Sequence, residues 1–274
     1  MVEMDNKTLR ELQLVQLEIL DVIDNICRNN NIPYSLYAGT LLGAVRHKGF
    51  IPWDDDLDIC MSRRNYVKFI RAWKRDPVKG YVLQNKEIEP DFTQSFSKIR
   101  KDNTVFLEEG AESGNYHRGI FVDIFPIDRV PDGSLRRKIF LTECMLYQLY
   151  TREFAPVKVN RAVRIGSILL LKITPQKCRG SIRKFLKHRI ISYNRNEQLK
   201  TIAIETFQSL RQVLPVDLLD EYVDLEFEGR DYMCFKLWDE YLTIKYGDYM
   251  QLPPEKDRVW KHRPLIIDFH KGDY

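Results

Sequence analysis

Ala38-Gly-Thr-Leu-Leu-Gly-Ala-Val-Arg-His-Lys-Gly-Phe-Ile-Pro-Trp-Asp-Asp-Asp-Leu-Asp-Ile59 joins two chemistries in one short stretch. At its front, Gly39-Thr40 reads as a turn between a β-prone run, 34–38, and a short helix, 41–46. Gly39-Thr-Leu-Leu-Gly43 continues into Ala44 instead of Lys-Ser/Thr, so it is not a Walker A loop. A turn that opens a helix still aims backbone N–H groups at an anion. Arg46, His47 and Lys48 add positive charge nearby. At its back, Asp54-Asp-Asp-Leu-Asp58 runs into Ile59-Cys-Met61. A strand over 56–61 is expected. Strand side chains alternate, so Asp56 and Asp58 share one face, about 6.5–7 Å apart. Leu57, Ile59 and Met61 bury on the other face. Asp54 joins the first face if the extended geometry begins early, and Asp55 points elsewhere.

Carboxylates packed this closely repel, and some take up protons unless a cation lies between them. Oxygen ligands favour Mg²⁺, Mn²⁺ or Ca²⁺ over zinc. An EF-hand is excluded: Ile59 stands where the glycine is required and Asn65 where the bidentate Glu is required. A third acid, Asp123, sits within the apolar run Ile120-Phe-Val-Asp-Ile-Phe125, in a strand over 119–126 closed by Pro126. An ionised Asp in such a strand is costly unless paired or coordinated. Asp128, just past the proline, reads as a turn or cap residue. A phosphate cradle followed by metal-binding carboxylates is what nucleotide-linked phosphoryl transfer requires.

Outward from this centre the chain alternates helix and strand, which gives an α/β (α+β) class. A helix over 8–29 carries an apolar stripe (Leu9, Leu12, Ile19, Ile23, Ile26) broken only by Gln16. Further elements are expected as a helix at 63–75 and strands at 81–84 and 96–101. Residues 134–208 read as helical, interrupted near Pro156 and Pro175. A strand at 226–235, a helix at 238–246 and a late strand at 265–269 follow. This organisation divides into a core over 1–130, a helical insertion over 131–210, and a segment over 211–274 that folds back to complete core and site.

The 274 residues are 44% hydrophobic and 30% charged, which suits a globular chain and excludes bulk disorder. No apolar run is long enough for a membrane span, and the N-terminus lacks the order of a signal peptide. The five cysteines are widely spaced, which excludes CxxC motifs and argues for reduced thiols in the cytoplasm. Net charge is +4, but from Lys158 to Lys200 twelve Lys/Arg stand against one acid, Glu197. Ile165, Ile168, Leu169 and Ile173 lie among those charges. Such a helix suits an anionic membrane surface, with attraction of roughly 1 kcal/mol per well-placed Lys or Arg. No nucleic-acid-binding motif is present.

Three blocks resemble the LicD family. The first is 38–59. The second is Gly119-Ile-Phe-Val-Asp-Ile-Phe-Pro-Ile-Asp128. The third is Tyr246-Gly-Asp-Tyr-Met-Gln-Leu-Pro-Pro254, followed by Arg258 and His262. They occur in the expected order across nearly the whole chain; only about 130–225 lacks a recognisable motif. The resemblance implies a nucleotidyltransferase-like mixed-sheet core. It implies transfer of a phosphorylated alcohol from a CDP-linked donor to a glycan hydroxyl. Bacterial members are associated with phosphocholine on teichoic acid or lipopolysaccharide, and the related fukutin group with ribitol phosphate. Carried onto this sequence, Asp56 and Asp58 would be metal ligands with Asp54 nearby, and Asp123 the third carboxylate. Gly39 and Thr40 would hold donor phosphates.

The expected reaction uses Mg²⁺ or Mn²⁺ on these acids to grip the pyrophosphate of CDP-choline, with CMP departing. Arg46 or Lys48 assists. Asp123, or an unligated oxygen of Asp54, takes the acceptor proton, with His262 a competing base or phosphate ligand. A quaternary ammonium would rest on aromatic faces, for which Tyr37, Trp53, Tyr246, Tyr249 and Trp260 lie near the motifs. A box of aromatics favours choline, and a ring of hydrogen-bonding groups favours ribitol or glycerol phosphate. Rival expectations are a nucleotidyltransferase using an NTP and a non-catalytic glycan or membrane assembly factor. The acceptor glycan is expected to be lipid-linked, with the protein peripheral at the inner membrane face.

Overall fold

The structure, a computed structural model, describes residues 5–108, 114–156, 159–204, 213–262 and 264–270. In chain order the first elements are α1 (Asn6–Asn29), β1 (Ser35–Leu36), α2 (Ala38–His47), β2 (Asp58–Ser62), α3 (Arg63–Arg75) and β3 (Tyr81–Gln84). Then come β4 (Ser97–Lys101), β5 (Val105–Glu108), β6 (Phe121–Val130), α4 (Ser134–Arg152), α5 (Arg161–Ile173) and α6 (Gln176–Ser192). The last are β7 (Thr201–Ile204), β8 (Leu214–Pro215), β9 (Tyr222–Phe227), β10 (Arg230–Phe235), α7 (Trp238–Tyr246) and β11 (Pro264–Asp268). The mixture bears out the α+β class.

The chain forms two compact units: 1–84, 96–126 and 217–274 in one, 85–95 and 127–216 in the other. These boundaries differ from the sequence segments 1–130, 131–210 and 211–274, because a stretch before β4 packs with the later helices.

In the first unit the strand order is β1-β2-β6-β4-β3. β4 pairs antiparallel with both β3 and β6. α1 is capped by Asp5, whose carboxylate accepts from Thr8 N, and buries Leu12, Ile19, Leu20 and Ile23. The C-terminal segment returns as expected: β11 pairs antiparallel with β5. The expected single strand at 226–235 is instead the hairpin β9–β10. Its turn is Glu228-Gly229, both with positive φ (53° and 74°), as the twist of a tight hairpin demands. Glu228 also holds the chain after α2: its carboxylate accepts from Phe50 N (3.0 Å) and pairs with Arg10 (2.6 Å).

β6 runs through Pro126 to Val130 instead of stopping at the proline. Pro126 falls between the residues that pair with β4 (121–124) and those that pair with β7 (127–130). Neither of those two ladders asks for its missing N–H.

In the second unit α4, α5 and α6 surround a core of Phe140, Cys144, Tyr147, Leu186 and Ile190. Helix gives way earlier than expected: residues 201–204 are β7, paired with Ile127–Val130. Asp128 is buried there and accepts from Asn194 Nδ2 (2.6 Å). It is a sheet residue, not a turn or cap. The remainder of the helical expectation, 205–208, lies outside the described residues.

Candidate active site

The acidic stretch is not yet a strand at Asp56. β2 begins at Asp58, and Asp54–Asp56 lie in the irregular stretch before it, held by α1. Gln13 and Gln16 are buried in the helix stripe and donate to the carbonyl oxygens of Asp54 (3.0 Å) and Asp55 (3.0 Å). The polar interruption of the stripe is thus a backbone clamp on the acids. One oxygen from each of Asp54, Asp55 and Asp56 lies within 4.8 Å of the others. Asp58 and Asp123 are outside this group, and Asp55, expected to point away, is inside it.

α2 begins at Ala38, so Gly39 and Thr40 occupy its first turn instead of a preceding turn. Thr40 Oγ1 accepts from Asp58 N (2.9 Å), and Tyr37 N donates to Asp58 O (2.9 Å). A Cβ on Gly39 would lie 2.4 Å from Asp54 Oδ2. The group resting against the opening turn of α2 is therefore the Asp54 carboxylate, which the helix N-terminus favours. Gly39 and Thr40 brace the acids. Lys48 caps the C-terminus of α2 with φ 57° and is exposed.

Burial, then the adjacent Asp56 charge, pushes the Asp54 carboxyl up to about 7 against the pull of Lys261. The Lys261 Nζ stands 3.9 Å from Asp54 Oδ1. Burial alone would lower this lysine, but Asp54, Asp56, Asp58 and Asp55 together raise it. His262 is likewise disfavoured as a cation by burial. Its bond to Asp55 and the charges of Asp55, Asp56 and Glu108 outweigh that and raise it to about 9. Its backbone N donates to Asp55 Oδ2 (2.8 Å), and its Nδ1 lies 3.2 Å from Asp55 Oδ1 and 4.0 Å from Asp56 Oδ2. At neutral pH His262 is a cation that ties the returning C-terminal segment to the acids, which suits it poorly to act as a base.

Asp123 N donates to Leu57 O (3.1 Å), so the second acidic strand lies against the first. Across the sheet Asp123 faces Lys98, whose Nζ is 2.8 Å from its Oδ1 and also sits over the Phe121 ring. Burial raises the Asp123 carboxyl, with Lys98 opposing. His262 and Glu108 act on it electrostatically, and His262 Nε2 is 3.9 Å from Glu108 Oε1. The two acidic stretches therefore meet around one imidazolium.

Asp54 opens into a cavity of about 640 Å³. Arg46, Arg258 and Lys261 supply positive charge to its wall, and Trp53, Tyr246 and Tyr249 supply aromatic surface. Arg46 is fixed by donating to Tyr249 O (2.8 Å), and Arg258 lies 5.5 Å from the Trp53 ring centre. Lys48, Tyr37 and Trp260 do not line it. Tyr37 is buried in the core against Phe125 and Tyr241. Sequence reasoning missed Asp55, Lys98, Glu108 and Lys261. Only Asp55 carried a signal, as part of the acidic run.

Three crowded carboxylates, one raised to about 7 by its neighbours and burial, are a donor set that fits a hard divalent cation. With the adjoining cleft of cations and aromatics, they define a group-transfer enzyme built on a nucleotidyltransferase-like core. Residues 31–160 match the family model described as "LicD/FKTN/FKRP, nucleotidyltransferase domain". The chain is 32% identical to the lipopolysaccharide cholinephosphotransferase LicD of Haemophilus influenzae, over 94% of this chain and 97% of that protein. An uncharacterized protein of Rickettsia prowazekii is 73% identical over 130 residues, 47% of this chain and 43% of its own length. The chain belongs to the LicD family.

Proposed function

We propose that this protein transfers a phosphorylated alcohol, phosphocholine foremost, from a CDP-linked donor to a hydroxyl of a cell-surface glycan precursor. The lipopolysaccharide named for the Haemophilus relative is the first acceptor class, with teichoic acid the second. The observation that carries this reading is the cavity at Asp54, where carboxylates, fixed cations and aromatic faces share one space. Arg46, Arg258 and Lys261 hold the donor's phosphates. Trp53 and Tyr246 receive the quaternary ammonium; the guanidinium of Arg258 already rests on Trp53. Mg²⁺ or Mn²⁺ held by Asp54, Asp55 and Asp56 would neutralise charge on the diphosphate and on departing CMP. The acceptor oxygen forms a new bond to phosphorus as the bond to CMP breaks. An oxygen of Asp54 left free of the metal takes the acceptor's proton.

With CDP-choline and acceptor, EDTA is expected to cut CMP release by about 10²-fold or more, and added Mg²⁺ to restore it. Release indifferent to chelation would overturn the metal. Turnover of CDP-ribitol or CDP-glycerol but not CDP-choline would change the cargo. Pyrophosphate released from an NTP would make the protein a nucleotidyltransferase, and no release from any donor would make it a non-catalytic factor.

The same reading makes the protein peripheral at an anionic membrane surface. Among the described residues no helix is long and apolar enough to cross a membrane. α5 instead exposes Ile165, Ile168, Leu169 and Ile173 beside Arg161, Arg164 and Lys172, the composition of an interfacial helix. Sedimentation with phosphatidylglycerol vesicles is expected at about 0.1 M salt and to fall sharply at about 0.5 M. Equal binding to neutral phosphatidylcholine vesicles, or none at low salt, would contradict it.

A further inference from the structure

The second unit holds a separate cavity of about 300 Å³ between α4 and α5. Its walls are apolar, with Leu146, Leu149, Val163 and Leu170 prominent, and Phe154 stands exposed at its edge. Four polar residues line it, of which Thr142 and Ser167 donate their hydroxyls to Lys138 O and Val163 O within their own helices. Gln148 Nε2 is shut off from water and has no hydrogen-bond partner. Arg152 is half-buried, and among the described residues its guanidinium makes no hydrogen bond or ion pair. An unpaired cation partly withdrawn from water weakens a fold unless something else compensates it. Arg152 is the one charged residue among the described lining, a guanidinium fork set in an oily wall.

We propose that this cleft binds a lipid phosphate, its phosphate on Arg152 and its chain along the walls of α4 and α5. Arginine's planar fork suits phosphate oxygens, and the volume is at the small end of ligand sites, enough for one end of a chain and not a whole lipid. The shared chemistry, a phosphate ester on an apolar tail, is common to bilayer phospholipids and to the carriers on which glycans are assembled. Assigning the cleft to the acceptor's carrier rests on the proposed reaction, whereas the binding does not.

The test is calorimetric titration of the full chain with EDTA present and no nucleotide, so that it stands apart from turnover. The ligands are farnesyl phosphate, dihexanoyl phosphatidic acid and the neutral alcohol farnesol, each below its micelle concentration. Saturable binding of farnesyl phosphate is expected, weakened by about tenfold or more in Arg152→Gln. Farnesol should bind weakly and equally to both. Gln148→Leu, which leaves the charge in place, should weaken the phosphate ligand by less. Arg152→Gln should melt no lower than wild type, because it removes an uncompensated charge. Preference for farnesyl phosphate supports a carrier site, and preference for dihexanoyl phosphatidic acid supports a bilayer-lipid site. No saturable binding of either, farnesol binding as tightly as its phosphate, or unchanged affinity in Arg152→Gln would overturn the proposal. A chain that binds farnesyl phosphate but releases no CMP would keep this site and lose the reaction.

Discussion

Asp56→Asn is expected to lower CMP release by about 10³-fold while leaving the metal-free chain at least as stable as wild type. Asp56 is one of three acids whose oxygens crowd within 4.8 Å, and it is the charge that acts most strongly on Asp54 after burial. The amide keeps the shape and removes that charge. Two consequences separate a reacting group from a structural one. First, Asp54 should titrate lower in the metal-free chain, which a pH titration in EDTA reads. Second, stability should respond less to pH. The Asp54 carboxyl is raised from 3.8 to about 7, so between those values the native chain holds a proton that the unfolded chain has released. Its contribution is complete below about 3.8 and is lost as pH rises through about 7. With asparagine at 56, burial and the smaller push of Asp55 remain against the pull of Lys261, the window narrows, and the melting temperature at pH 8 in EDTA should equal or exceed that of wild type. Activity within about tenfold of wild type would remove Asp56 from the reaction. A marked fall in melting temperature would recast it as a support.

The acidic run and its apolar continuation were legible because composition and alternation are local. So were α1, α3, the late strand and the helices on either side of Pro175. What the sequence did not show depends on partners distant along the chain. Gln16 broke an apolar stripe and gave no hint that it would hold Asp55 O. Lys98 and Asp123 face each other only because β4 pairs with β6 in that register. Glu108 and Lys261 enter the site because β11 returns to β5. His262 looked like a candidate base; three nearby acids make it a cation. The strand expected from Asp56 begins two residues later, after a stretch whose Asp54 and Asp55 carbonyls bond to side chains of α1 and not to a neighbouring strand.

Gly39→Ala should cost activity about 10²-fold without costing stability. The added methyl would lie 2.4 Å from Asp54 Oδ2 and 3.4 Å from Asp54 Cγ, so the carboxylate must move. Its backbone cannot easily follow, because Asp54 O is held by Gln13 and Asp54 N by Ile51 O. The side chain is left to rotate, away from Asp56 and from the cavity. The helix itself gains, since alanine is favoured over glycine by up to about 1 kcal/mol in a helix, and Gly39 has no positive φ to forfeit. Gly180→Ala in α6 is the control: nothing lies within 4 Å of its added Cβ, so it should gain stability and keep full turnover. A Gly39→Ala protein that melts higher yet releases CMP slowly would show that the glycine is there for the carboxylate. Undiminished CMP release would mean that the carboxylate is not needed where it stands, and the role given to Asp54 as proton acceptor would fall.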